Sequence, residues 1–239
     1  MAQDATSPTP APPERKVILG IQAHPDDIDF SSGGTVAKFV RDGHEVHYLS
    51  VTSGNKGSHD RAIDPAALAE TREREEQEAA RRLGVTSCRF LRYNDGEVEA
   101  NLTLRRQIAL VIREVRPDTI MTFDPWRPYQ LHPDHRATGL AALDAVIAAR
   151  DHLFFPEQLR DGLDIARVHE VYLFGAAEPD TWVDITETIA TKIHAATAHA
   201  SQIRDDLEER EKRQRARAHE VGEPHGLEYA EAFKVLHLN

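Results

Sequence analysis

Short, β-branched apolar runs alternate along the chain with segments in which apolar residues return every three or four positions, the pattern of βα units that build a parallel sheet. Residues 16–23 (KVILGIQA) predict a first, buried strand that delivers His24 at its end. The pair Gly33-Gly34 is expected to open a helix that runs to Arg41 and stops at Asp42-Gly43. Residues 45–52 predict the second strand, residues 53–57 (SGNKG) a plain turn, and residues 65–83 a long helix ended by Gly84. A third strand is placed near 89–92, a helix over 102–115 and a fourth strand over 119–123, with Arg116-Pro117-Asp118 as the break between the last two. A helix over 135–150, a fifth strand over 168–174 and a charged helix from about Asp184 complete the pattern. Together these predict a single Rossmann-like α/β domain over residues 15–239, three layers α/β/α around a mostly parallel sheet. Residues 1–14, rich in proline, are expected to be a disordered leader. Residues 205–217 (DDLEEREKRQRAR) read as a solvated helix held by i,i+4 charge pairs, and residues 228–236 as a docking segment anchored by Tyr229 and Phe233.

Composition excludes several partners. With 40% of its 239 residues apolar, the chain can bury an ordinary core without staples. The net charge of -11 argues against nucleic acid, because neutralising phosphates takes a basic face. Cys88, the single cysteine, can form no internal disulfide and reads as core packing in a β-like stretch. No apolar run approaches the roughly 20 residues needed to span a bilayer, and the first residues lack the apolar segment of a signal peptide. A cytoplasmic protein that does not engage membranes is expected, with homo-oligomerisation left open.

In an open parallel sheet, ligands collect outside the carboxyl ends of the strands. Two His-rich tetrapeptides fall there: His24-Pro25-Asp26-Asp27 after strand one and His132-Pro133-Asp134-His135 after strand four. His24 and Asp27 are three positions apart, so a single turn aims both at one point while Asp26 points elsewhere. Two histidines and one carboxylate around zinc leave a fourth position for water, which separates a catalytic site from a closed structural one. Asp26 then stands as the base that takes the water proton, and His132 as a protonated imidazole that stabilises the oxyanion and protonates the leaving amine. Alone, HPDD is more often a capped turn with surface carboxylates than a metal site; joined to HPDH after another strand, it is specific.

The same residues carry a family likeness. AHPDD at 23–27, the following Gly33-Gly34 and HPDH at 132–135 resemble the LmbE-like/PIG-L deacetylases. Further traces at 50–57 (SVTSGNKG), 72–84 (REREEQEAARRLG) and 198–202 (AHASQ) extend the resemblance from about Val17 to Gln202. It implies a metal-dependent hydrolase that removes an N-acyl group, acetyl in the first instance, from an N-acetylglucosamine-type amino sugar or its conjugate. One Zn2+ per chain is implied, with Fe2+ the alternative, and attack by water held on the metal. By motif position, His24, Asp27 and His135 resemble the metal ligands, Asp26 the general base and His132 the oxyanion-stabilising acid. Arg72 resembles a substrate-binding arginine and His199 a cleft-lining histidine, although each also fits an ordinary helix position. Where many relatives carry a glutamate two places after AHPDD, this chain has Asp29. Trp126 and Tyr129, in the aromatic loop 125–131, are candidates to face a sugar ring. Two rival readings are a metallophosphoesterase, which commonly needs a pair of metals, and a protein that captures sugar or metal without catalysis.

Overall fold

The computed structural model describes residues 15–203 and 206–239; the leader expected over 1–14 and the first residue of the expected charged helix lie outside them. Among the described residues there are seven strands, β1 (Val17–Gln22), β2 (Glu45–Thr52), β3 (Ser87–Tyr93), β4 (Thr119–Phe123), β5 (Glu170–Phe174), β6 (Thr181–Asp184) and β7 (Ala230–His237). The helices are α1 (Asp27–Arg41), α2 (Pro65–Leu83), α3 (Leu102–Val115), α4 (Pro133–Arg150), α5 (Pro156–Arg160), α6 (Ile189–Ala196) and α7 (Leu207–Gly222). Among the described residues no helix is long and apolar enough to cross a membrane.

The sheet runs β3-β2-β1-β4-β5-β7-β6. Its first five strands are parallel neighbours, and β7 pairs antiparallel with both β5 and β6. Chain order reverses between β1 and β4, and the crevice beyond their carboxyl ends is where such a sheet binds ligands. Strand period 2 sorts the core. Leu19, Ile21, Leu49 and Ile120 point toward α3 and α4, while Ile18, Val46, Tyr48 and Met121 share the opposite layer with side chains of α1, α2 and α6.

Three expectations change on folding. Helix α1 begins at Asp27, so Gly33-Gly34 lie inside it rather than at its start. Their role is close packing, since a Cβ on Gly34 would sit 2.7 to 2.9 Å from Ile185 and one on Gly33 3.2 Å from Lys192. Asp184, expected to start the charged helix, instead ends strand β6, and the region after it holds two separate helices, α6 and α7. The tail docks on its own sheet: it is β7, with Phe233 fully buried against Tyr172 and Tyr229 packed on the small cluster around Ile185. Glu231 of β7 is buried, accepts the N–H groups of Gly34 and Thr35 at 3.0 and 2.7 Å, and pairs with Lys192 Nζ at 2.6 Å, tying the last strand to the helix that follows the first motif.

Arg113 is a second buried tie that sequence reading passed over. From α3 its guanidinium donates to the carbonyls of Ala148, Ala149, Asp151, Phe154 and Phe155 and to Gln158 Oε1, at 2.8 to 3.3 Å. These include carbonyls of the last turn of α4, which have no partner within the helix. Arg113→Met should therefore cost on the order of 3 kcal/mol in urea unfolding; a loss well under about 1 kcal/mol would show that water replaces the guanidinium.

Candidate metal and catalytic site

At the end of β1 the chain turns at Pro25 and enters α1, and His24 and Asp27 meet across that turn with Nδ1 and Oδ2 3.3 Å apart. The other oxygen of Asp27 lies 3.3 Å from His135 Nε2, which α4 brings in from beyond β4. Imidazole nitrogens of His24, His132 and His135 all lie within 4.8 Å of one another. Donors about 2.05 Å from a tetrahedral ion stand about 3.3 Å apart. The two measured separations suit that edge, and two imidazoles with a carboxylate are the donor chemistry zinc takes, so His24, Asp27 and His135 fit a metal.

Two carboxylates orient His24 from behind. Its Nε2 lies 3.1 Å from Asp95 Oδ1 and 3.2 Å from Asp134 Oδ2, which leaves Nδ1 directed at the site. Asp134 is held in turn by the N–H groups of Gly96 and Val98 at 2.7 and 3.2 Å. Burial would lower His24, but Asp134, Asp27 and Asp95 together raise it to about 12. Burial would raise Asp27, but His135 and His24 hold it well below the ordinary carboxylate range. These carboxylates favour the protonated imidazole, whereas a histidine holds a metal in its neutral form, so acid would oppose a cation here.

His132 stacks on His135 with ring centroids 4.5 Å apart, and His135 stacks on Phe123 at 4.2 Å, so the last residue of β4 supports both rings. His132 Nδ1 is buried without a hydrogen-bond partner. Burial, then the neighbouring His24 and His135, lower His132 from the usual imidazole value, the opposite direction from the protonated form expected of it.

Asp26 occupies the helix N-cap with φ 98°, a region few non-glycine residues enter, and its side chain makes no cap hydrogen bond. Its Oδ2 instead lies 3.1 Å from Arg72 Nη2. Burial pushes Asp26 up to about 7, with Arg72 opposing and Asp27 adding to the rise. A carboxyl group poised near neutrality is suited to general base work.

The remaining candidates divide. Arg72, expected to grip substrate, is only 4% exposed; its guanidinium also donates to the carbonyls of Pro25 and Gly54 at 2.7 and 3.1 Å, so it faces the turn and the base. A side chain at Gly54 would collide with it. His199, expected along the cleft, is fully buried and bonds Asp29 Oδ2 at 2.7 Å, because the turn that follows α6 packs it against α1 rather than at the surface. Asp29, His199 and Glu76 form a closed polar cluster, in which Tyr48 also donates to Asp29 at 3.1 Å. Burial first, then Asp29, pushes Glu76 up to about 8, while His199 and hydrogen bonds from Asp26 and Gln22 pull it back. Trp126 and Tyr129 are 62% and 95% exposed on the loop that leads into His132.

Asp95, Asp134, Gln22 and Glu76 were missed as site residues. Asp134 stood inside HPDH, and Asp95 follows β3 at the same sheet end, so carboxylates after strands were the available signal; Glu76 is hidden among the acidic residues of α2.

Residues 19–146 match the GlcNAc-PI de-N-acetylase (PIG-L) family. The chain is 35% identical over 222 residues to a diacetylchitobiose deacetylase of Thermococcus kodakarensis, covering 92% of this chain and 83% of that one. It is 32% identical over 185 residues to a 1D-myo-inositol 2-acetamido-2-deoxy-alpha-D-glucopyranoside deacetylase of Streptomyces avermitilis, covering 66% of this chain and 61% of the relative. Among solved structures, the N,N'-diacetylchitobiose deacetylase of Pyrococcus horikoshii in complex with its inhibitor superposes with a TM-score of 0.87 at 35% identity, over 92% of this chain and 84% of that one.

Proposed function

The chain belongs to the PIG-L family of N-deacetylases, and from that premise we propose that it is a zinc enzyme that removes the acetyl group of an N-acetylglucosamine-type conjugate. The observation that carries this reading is the meeting of His24 and His135 on the two oxygens of Asp27, with Asp26 and His132 beside them. Neither the phosphoesterase nor the non-catalytic reading is favoured, since the named relatives are deacetylases.

In this mechanism His24, Asp27 and His135 hold the cation. When bound, it supplies Lewis acidity at the acyl oxygen and makes water a better nucleophile. Asp26 takes a proton from the attacking water at Oδ1, because Oδ2 is engaged by Arg72. His132, neutral at rest, donates a ring N–H to the developing oxyanion; a neutral imidazole can do this without giving up its proton. As the C–N bond breaks, Asp26 returns its proton to the leaving nitrogen, so water adds across the amide and the site is restored. Trp126 and Tyr129 offer exposed ring faces on which a sugar can stack.

The test uses N,N'-diacetylchitobiose as the probe, with amine release and metal content measured together. Chelated protein should lose at least about a hundredfold in rate, and one zinc per chain should restore it. Equal rates with and without metal would overturn the reading.

A further inference from the structure

Arg72 and Glu76 are four residues apart on α2, so both reach the turn after β1 from the same side. Arg72 takes the carbonyl of Pro25 and one oxygen of Asp26. Glu76 Oε2 accepts the backbone N–H of Asp26 at 2.8 Å, and Oε1 accepts Gln22 Nε2 at 2.6 Å. Gln22 Oε1 in turn accepts the N–H of Ile28 at 2.9 Å, so the pair spans both flanks of Asp26-Asp27. An aspartate at a helix start ordinarily has extended backbone and uses its own carboxylate to cap the first turn. Asp26 does neither. A left-handed non-glycine residue persists only where its surroundings over-determine it, and here those surroundings are the side chains of α2 and Gln22.

We propose that Glu76 is a positioning residue for deacetylation: by taking the Asp26 N–H it holds that residue left-handed and so keeps the carboxylate in the cleft instead of in the cap. The inference rests on the reading of Asp26 as the base. Both oxygens of Glu76 accept a hydrogen bond, one from Gln22 Nε2 and the other from the Asp26 N–H, so neither position suits a second donor. Glu76→Gln is nearly isosteric, yet it must turn an NH2 group against either Gln22 or Asp26. Exchanging the two side chains, Gln22→Glu with Glu76→Gln, removes the conflict. The amide at 76 donates to the carboxylate at 22 and still accepts from Asp26, Ile28 keeps its acceptor, and the hydroxyl of Ser50, which now accepts from Gln22 at 2.9 Å, rotates to donate.

The test compares Glu76→Gln, the exchange variant and Asp26→Asn, each loaded with zinc, on N,N'-diacetylchitobiose. Glu76→Gln should lose about 10- to 100-fold in kcat with KM and zinc content nearly unchanged, as expected for a base displaced by a fraction of an ångström to an ångström. The exchange variant should recover most of that loss, which a merely structural carboxylate would not do. Wild-type kcat in Glu76→Gln, or no recovery on exchange, overturns the proposal. Should Glu76→Gln not fold, Glu76→Asp withdraws the acceptor while keeping a carboxyl group, and an unchanged kcat there overturns it equally. The two readings fail separately: an active Asp26→Asn removes the base itself, whereas an inactive Asp26→Asn beside a fully active Glu76→Gln removes only the positioning role.

Discussion

Asp26→Asn is expected to lower kcat by about 10²- to 10⁴-fold while metal content and melting temperature hold. Asparagine is one of the few non-glycine residues at ease in the left-handed region, so the φ of 98° costs the variant little. Its amide oxygen can still accept from Arg72, which leaves the turn after β1 intact. What disappears is a group that binds a proton reversibly near neutral pH. The wild-type profile should carry the same signature. Because Asp26 is raised and must be ionised to act, kcat/KM should fall as pH drops through an apparent pKa above the ordinary carboxylate range. That pKa should reach no higher than about 7, since the bound cation favours the ionised form. A kcat within about tenfold of wild type in Asp26→Asn, or a rate that is flat down to about pH 4, would assign the proton transfer elsewhere.

His24→Ala should lose the metal and much of the stability together. With His24 a ligand as proposed, metal affinity should fall by more than the roughly 10- to 100-fold that an outer-shell partner is worth. Removing the ring also leaves Asp95 and Asp134 facing each other without the cation between them. Breaking a buried pair in this way costs about 3 to 5 kcal/mol at neutral pH. The sign of the pH dependence follows from the wild type, where His24 holds both carboxylates below their usual range. In the variant that support is lost, the carboxylates protonate more readily in the folded protein, and the stability gap to wild type should narrow as pH falls. Metal analysis and urea unfolding at two pH values check this. A variant that binds one zinc per chain and unfolds at the wild-type midpoint would show that His24 is neither ligand nor tie.

Much of this architecture was legible before folding. Residues 45–52, 65–83, 102–115 and 119–123 were read as β2, α2, α3 and β4 at the bounds the structure gives them, because each carries a clean period and an explicit stop, such as Gly84 or Pro117. The reading failed where tertiary partners override local signals. Gly33-Gly34 resembles a helix opening, yet serves as a smooth surface for Ile185 and Lys192, far along the chain. Residues 228–236 look like a docking segment because their apolar face has no nearby partner; β5 and β6 supply it on either side of β7. Arg72 and His199 are expected to meet substrate, whereas packing buries the one against the turn at Pro25 and the other against Asp29.

By itself the sequence determined which donor groups emerge at the ends of β1 and β4, because strand ends and the spacing within HPDD and HPDH follow from local backbone geometry. Only the tertiary structure decided how those groups are held and charged: Asp95 and Asp134 behind His24, Phe123 beneath His135, Arg72 and Glu76 around Asp26. The reason is physical. A polar group taken out of water must find a partner, and which partner it finds depends on what packing brings within about 3 Å, not on any period the chain carries.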